Sequence, residues 1–343
     1  MKIYILKRLI SIPIILFVLS VVIFSLVIFL SPSQRIAVFV SNPEDLQNVS
    51  TDELIKRYGL DEPFHIQYLK WLKGILKGEL GWSNSARMPV AKALALRIPA
   101  TIELLLFGQI IVFLSGSFLG TIAAKKHNGF ADFFIRIVTI FGVSIPNFVI
   151  GLFLLIIFYV KFDIFSPGRL SLFALDIVHS DQFTIYTGMY MIDSLLNRRL
   201  DIFWDSFKHI ILPSIAYSTG PMAAAVRLMR SSLLENMDKS YVDTAITKGV
   251  PDKMVINKHV RRNALIPFIT FMGMHIPTLL GGSVVIESIF NYPGMGTFIV
   301  TSALGLDFPA IIGSSLAVSL IIIISNLLVD ILYWVINPVT RLE

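Results

Sequence analysis

Long apolar runs alternate with polar segments along the chain. A helix that crosses a membrane needs about 20 predominantly apolar residues. Six runs approach or exceed that length and predict six transmembrane helices, at residues 9–30, 101–124, 137–160, 210–226, 264–286 and 308–336. The first run is longer than the apolar core of a signal peptide, and no small-residue cleavage site follows it. We therefore interpret it as a retained span.

The basic residues between these runs predict the orientation. Lys and Arg concentrate before the first run, in the short loop "KKHNGF" after the second, and in the segment after the fourth. Six spans place all three on one side, which is the cytoplasm by the positive-inside rule, with both termini inside. Residues 31–98 and 161–208 are then external. In the first of these, Trp71 and Trp82 are candidate anchors at the membrane interface.

Composition supports a membrane protein. Hydrophobic residues make up 55% of the 343 positions and charged residues 15%, against about 25% charged in a soluble domain. The absence of cysteine excludes disulfides, thiolate metal sites and a cysteine nucleophile. The net charge of +6 needs no nucleic-acid partner, because cytoplasmic loops carry the excess. We predict one all-α transmembrane domain, residues 1–343, with no catalytic residue and no metal site.

A polar insert, residues 240–262, separates the fourth and fifth runs. Ser240 followed by Asp243 is a capping-box pattern that predicts the start of a helix. Gly249 suits the position just past a helix C-terminus, and Pro251 suits the first turn of the next helix. The pattern predicts a helix, a tight turn and a second helix. An ordinary amphipathic loop at the membrane surface is the alternative.

Two small residues of the insert are spaced as if on one helix face. Ala245 and Gly249 are four positions apart, which predicts that they are neighbours on the helix surface. Side chains this small allow another surface to approach the backbone closely.

Several segments together carry a resemblance to a known family. "DTAITKG" followed by "ALIP" resembles the cytoplasmic coupling motif of ABC-importer permeases, although Asp243 and Thr244 replace the usual Glu and Ala. "YVDTAITKG", "RIPATIEL", "GVSIPNFVIG", "HIILPSIA" and "ESIFNYPGMG" are similar to the dipeptide/oligopeptide/nickel branch, in the same order along the chain. The chain therefore resembles the permease subunit of a binding-protein-dependent importer over almost its whole length.

This resemblance implies a type I importer permease fold in a prokaryotic cell membrane. It implies a second, homologous permease subunit, two ATP-binding cassette subunits and an external solute-binding protein. ATP and Mg²⁺ would bind in those partner ATPases, and this chain has no G-x-x-x-x-G-K-[ST] phosphate loop of its own. The insert would dock into an ATPase cleft through its coupling residues, Tyr241, Asp243, Thr244, Ala245, Lys248, Gly249 and Pro251.

The resemblance leaves the transported solute open. Peptides are the usual cargo of this branch, while oligosaccharides such as β-glucosides, or nickel, are alternatives. "NYPGMG" after the fifth run combines a proline with two glycines, which suits non-helical backbone beside a pathway. We predict that Phe290, Pro293, Gly294 and Gly296 narrow its outer mouth.

Polar residues within the sixth run form another candidate site. Asn326 and Asp330 lie four apart, and an intramembrane acid is by default a functional candidate. The alternative is an interhelical hydrogen bond, or an ion pair with Arg227 or Arg230. In the second run, Gly116-x-x-x-Gly120 predicts close helix packing.

Two other classes of protein fit less well. "GGSV" with His275 resembles part of an intramembrane serine protease, but the glycine expected after the serine is absent and His275 shares its span. A secondary transporter would need repeat symmetry and more intramembrane ionisable residues than Asp330 provides.

Overall fold

The protein is built almost entirely of helices. The computed structural model describes residues 2–40 and 49–336, with side chains at 10–31, 34–40, 49–251, 253–275, 284–329 and 331. The chain forms two compact units, one from residues 1–101 and 293–324 and the other from residues 102–292 and 325–343. No shift in composition marks the boundaries, because two of them fall within long helices.

Within the described residues, the first half of the chain carries seven α-helices and one hairpin. They are α1 (Lys2–Val27), α2 (Pro32–Phe39), α3 (Thr51–Tyr58), α4 (Phe64–Leu76), β1 (Trp82–Ser83), β2 (Met88–Pro89), α5 (Val90–Lys125), α6 (Phe130–Ser144) and α7 (Asn147–Leu154), which continues as the π-helical segment π1 (Leu155–Lys161). The strands pair antiparallel, with Ser83 opposite Met88.

The second half contains the longest helix and the polar insert. Its elements are α8 (Leu172–Val178), α9 (Tyr190–Leu196), α10 (Leu200–Met237), α11 (Ser240–Thr247), α12 (Asp252–Met254), the π-helical segment π2 (Val255–Val260), α13 (Arg261–Ile289), α14 (Met295–Leu304) and α15 (Phe308–Ile336).

Length and composition support three or four of the six predicted spans. Among the described residues, α1, α5 and α15 are long and apolar enough to cross a membrane, and the pair 130–144 with 147–161 is a fourth candidate. The fourth and fifth predicted spans lie within α10 and α13. The run in α10 is less apolar because it carries Ser214, Ser218 and Thr219.

The third apolar run forms two helices rather than one. α6 ends at Ser144 and α7 begins at Asn147, and the two axes are bent by 103°. Ile145, which precedes Pro146, is extended at φ −93° and ψ 125°, as the clash with a proline ring favours. Asn147 donates a hydrogen bond to the Tyr217 carbonyl of α10 at 3.2 Å. The predicted span over 137–160 therefore covers parts of two helices joined by a sharp bend.

An aromatic cluster forms part of the core of the first unit. Phe24 of α1 contacts Trp71 of α4 with ring centroids 5.0 Å apart. Ser20 and Tyr68 share a hydrogen bond of 2.7 Å, which adds a polar link between the same helices. Trp71 is only 4% exposed. The prediction that Trp71 anchors the membrane interface was therefore wrong, because its ring is buried within the protein.

A buried acid links the hairpin to α15 in the same unit. Asp307 accepts hydrogen bonds from the Ser83 hydroxyl at 2.7 Å and the Ser85 N–H at 2.8 Å. Its other oxygen accepts from the Ala310 N–H at 3.3 Å, in the first turn of α15. Asp307 is 2% exposed. Its carboxylate therefore connects segments more than 200 residues apart, a contact that no local pattern in the sequence reveals.

α10 is the centre of the second unit and packs on α6, α7, α9 and α13. The Gly116–Gly120 motif of α5 lies against it. A Cβ atom at Gly120 would approach the Met229 Cβ to 2.7 Å and the Val226 carbonyl oxygen to 2.9 Å. At Gly116 the nearest atoms would be Ala225 Cβ and a Phe268 ring carbon, both at 2.8 Å. The predicted close packing at this motif is confirmed.

Candidate functional site: the polar insert and two buried ion pairs

The insert folds as a helix, a tight turn and a second helical segment. Gly249 has φ +73°, a conformation that costs little only for glycine. Its N–H donates to the Ile246 carbonyl at 2.8 Å, and the Val250 N–H donates to the Ala245 carbonyl at 3.1 Å. These two bonds form a Schellman motif, which ends α11 at Thr247. The predicted position of Gly249 just past the helix is confirmed.

The start of the insert differs from the sequence prediction. The N-cap of α11 is Lys239, Ser240 is the first helical residue, and no side chain caps the helix. The capping box of Ser240 and Asp243 was therefore wrong. Pro251 lies one residue before α12, and its carbonyl accepts from the N–H groups of Met254 and Val255 at 2.8 and 3.0 Å.

One side of the insert packs inward on a hydrophobic cluster. Tyr241, Ala245 and Val250 are partly buried against this cluster, whose members come from α5, α10, α11, π2 and α13. The Tyr241 hydroxyl also donates to the Asn236 side chain at 3.1 Å. Ala245 lies on α11, whereas Gly249 is exposed and lies past the end of that helix, so the two do not share a helix face. That prediction was wrong because α11 ends before Gly249.

The other side of the insert is exposed and combines apolar and charged residues. Ile246 is 51% exposed and Met254 is 50% exposed. Among the side chains that the structure describes, the exposed polar residues around them include Asp243, Thr244, Thr247, Lys248, Lys253 and Lys258. Large apolar side chains that are exposed to solvent among basic ones suit contact with another protein surface. We call the exposed residues of 243–254 the outward face of the insert.

The insert leads into the rest of the unit through π2 and α13. π2 follows α12 directly, and α13 begins at the next residue, Arg261. Arg261 donates to the Ser117 hydroxyl of α5 at 3.0 Å, and Lys125 donates to Asn257 at 3.1 Å. Displacement of the insert would therefore act on both α5 and α13.

A buried ion pair joins α6 to α10. Arg230 donates to both oxygens of Asp132, with distances of 2.6 and 2.8 Å. The Asp132 side chain has no exposed surface. The Asn128 N–H also donates to this carboxylate, at 3.1 Å. Arg230, one of the two partners suggested for Asp330, pairs with Asp132, while the Asp330 side chain lies outside the described residues.

A second buried ion pair lies at the start of the apolar run of α5. Arg169 donates through Nη2 to Glu103 at 2.7 Å and to the Gly188 carbonyl at 2.6 Å. The guanidinium also lies 3.9 Å from the centre of the Tyr190 ring. Glu103 is 2% exposed. Sequence reasoning missed this site, although Glu103 is the only charged residue within 101–124. An unexplained intramembrane acid was the available signal.

The predicted gate residues lie in different backbone settings. In the second unit, Phe290 follows α13 and is 1% exposed. In the first unit, Pro293 is exposed and Gly294 is the N-cap of α14. Gly296 is a buried residue inside α14, not part of the turn. The non-helical stretch is therefore shorter than the motif suggested.

Of the two polar residues singled out in the sixth run, the structure describes the side chain of Asn326 only. Asn326 lies on α15 and is exposed within the single chain. The side chains of Asp330 and of Ser283 in "GGSV" lie outside the described residues. Within the part of the chain that the structure describes, no three His, Asp or Glu side chains are grouped so as to hold a metal ion.

Comparison with known proteins assigns the family. Residues 116–342 match the family described as "Binding-protein-dependent transport system inner membrane component", and residues 1–105 match its N-terminal region. The chain belongs to this family. It is a multi-pass permease of a prokaryotic plasma membrane and acts in transport.

Relatives with curated names cover most or all of the permease. It is 33% identical to the "Oligopeptide transport system permease protein AppB" of Bacillus subtilis, over 98% of this chain and 99% of the relative. It is 34% identical to the "Dipeptide transport system permease protein DppB" of Alkalihalophilus pseudofirmus, over 98% of both. The protein of that name in Escherichia coli is 36% identical over 84% of both chains.

Proposed function

We propose that the permease forms part of a pathway for peptides in an ATP-driven importer. The names of the relatives support peptides as the solute, since they refer to oligopeptide and dipeptide transport. Oligosaccharides such as β-glucosides, and nickel, are the alternative cargoes. A solute-binding protein outside the membrane would deliver the cargo, and a homologous permease subunit would complete the pathway.

The observation that carries the coupling role is the outward face of the insert. Ile246 and Met254 are exposed on a helix-turn-helix whose other side packs against the hydrophobic cluster. We propose that this face, with Asp243, Lys248 and Gly249, docks on one of two ATP-binding cassette subunits. ATP and Mg²⁺ would bind in those subunits and not in this chain. ATP-driven motion would then reach α13 through π2.

We further propose six spans with both termini in the cytoplasm. Counting α10 and α13 as spans places every short basic segment on one side, as the positive-inside rule requires. Residues 31–98 and 161–208 would then face outward. The segment from Phe290 to Gly296 would lie at the outer mouth and narrow the pathway.

The substrate is tested by uptake into proteoliposomes. The permease would be purified with its partner subunits and assayed with its binding protein in the presence of ATP. We expect uptake of labelled dipeptides and longer peptides, and none without ATP. A matched β-glucoside and Ni²⁺ serve as competing cargoes. Uptake of one of these in place of peptides would contradict the peptide assignment.

The topology is tested by labelling single cysteines, because the native chain contains none. Asn84→Cys, Gln182→Cys and His127→Cys each lie at exposed loop positions. With a membrane-impermeant maleimide applied from outside, we expect labelling at Asn84 and Gln182. His127 should react only after the membrane is permeabilised. Labelling of all three from the same side would contradict six spans with cytoplasmic termini.

A further inference from the structure

The buried ion pair of Glu103 and Arg169 connects separate parts of the second unit. Glu103 uses both of its oxygens. One accepts from the Met191 N–H at 2.7 Å, and the other accepts from Arg169 at 2.7 Å and from the Tyr292 hydroxyl at 3.3 Å. Arg169 in turn donates to the Gly188 carbonyl. One carboxylate therefore links α5, the segment 161–208 and the chain just past α13.

A backbone contact strengthens the link to α13. The Gly168 N–H, next to Arg169, donates to the Phe290 carbonyl at 2.7 Å. Phe290 and Tyr292 are each 1% exposed. The end of α13 is thus held by a main-chain hydrogen bond and by a side chain that reaches the ion pair. We call Glu103, Arg169 and Tyr292 the clasp.

α13 connects the clasp directly to the polar insert. It is a continuous helix of 29 residues, which gives a length of roughly 44 Å. Its first residue follows π2, and its last lies three positions before Tyr292. A helix of this length transmits a displacement of one end to the other, provided that both ends are held.

We propose that Arg169 is a positioning residue of the transport cycle, which fixes the far end of α13 by pairing with Glu103. The clasp stays closed while the insert moves, because separating the carboxylate from the guanidinium leaves each buried charge without an opposite charge beside it. Motion at the insert then carries segment 161–208 with it. This inference rests on the proposed function, in which the insert docks on an ATPase.

Coupling through α13 acts in both directions. If the state of the ATPase shifts the conformation of the outer segment, then binding of a loaded binding protein outside must shift the conformation of the ATPase by the same coupling free energy at equilibrium. Loss of the clasp should therefore reduce the stimulation of ATP hydrolysis by loaded binding protein. The basal rate of hydrolysis should remain, because the insert and its docking surface are untouched.

The test compares three variants of the clasp in the assembled, reconstituted complex. Glu103→Gln keeps the shape and most hydrogen bonds of the side chain but removes its negative charge. The double variant Arg169→Met with Glu103→Gln removes both charges. Arg169→Lys retains the positive charge. The readouts are basal ATP hydrolysis, the ratio of stimulated to basal hydrolysis, and uptake. Arg199→Met is the matched control, because Arg199 and Asp201 form an exposed pair at 2.6 Å in the same segment.

We expect the double variant to lower the stimulation ratio at least about five-fold, the lower end of typical coupling between sites. Glu103→Gln should lower the stimulation ratio less than the double variant does. Arg169→Lys should keep part of the stimulation that the double variant loses. Arg199→Met should leave the ratio unchanged. If the double variant does not assemble, Glu103→Gln decides. A normal ratio in the assembled clasp variants would overturn the inference. A wild-type complex without stimulation or uptake would instead contradict the proposed function.

Discussion

Replacing Gly249 by Trp is expected to give a permease that enters the membrane but no longer couples to ATP hydrolysis. Gly249 has φ +73°, where a side chain costs about 1–2 kcal/mol per residue. A Cβ at Gly249 would meet no atom of this chain within 4 Å, so the indole would project from the outward face. Stimulation by loaded binding protein should fall at least about tenfold, which corresponds to about 1.4 kcal/mol of lost docking.

Gly249→Asn is the matched control for backbone strain. Asn tolerates the left-handed conformation better than other residues with a side chain, and it is much smaller than Trp. We expect nearly normal stimulation from this variant. Membrane insertion should be normal for both, because the apolar runs are unchanged. Full stimulation in the Gly249→Trp complex would show that the insert is only a surface loop.

Removing Arg230 is expected to destabilise the permease strongly. Asp132 has no exposed surface and receives two hydrogen bonds from Arg230. Among the described residues, Arg230→Met leaves this carboxylate the Asn128 N–H and the longer 3.8 Å contact with Arg136. Breaking a buried pair from one side costs roughly 3–5 kcal/mol. The measurement is the free energy of unfolding of the purified permease in detergent.

Two further variants separate the ion pair from general damage to the helix. Arg230→Met with Asp132→Leu should be more stable than Arg230→Met alone, since no unpaired charge remains. Glu235 lies on the same helix as Arg230 and forms an exposed ion pair with Lys239. Glu235→Gln removes this pair and should change the free energy of unfolding by less than about 1 kcal/mol. If Arg230→Met were as mild as Glu235→Gln, the pair would have no structural role.

The sequence by itself determined the features that depend on neighbouring residues. Gly249 predicted the end of α11 because a left-handed residue there satisfies the last carbonyls through bonds that span only five positions. The apolar runs likewise predicted the helical stretches, although the exact start of α11 was wrong. Gly116 and Gly120 predicted close packing, because a residue without a side chain lets a neighbouring helix approach the backbone closely.

Only the tertiary structure decided which distant groups meet. Glu103 and Arg169 are 66 residues apart, and Asp132 and Arg230 are 98 apart. The burial of Trp71 and the 103° bend at Pro146 also depend on neighbouring helices as much as on local sequence. A local pattern constrains the dihedral angles of a few residues. The pairing of charges depends on how whole helices pack, because each buried ion must find its partner within a few ångströms.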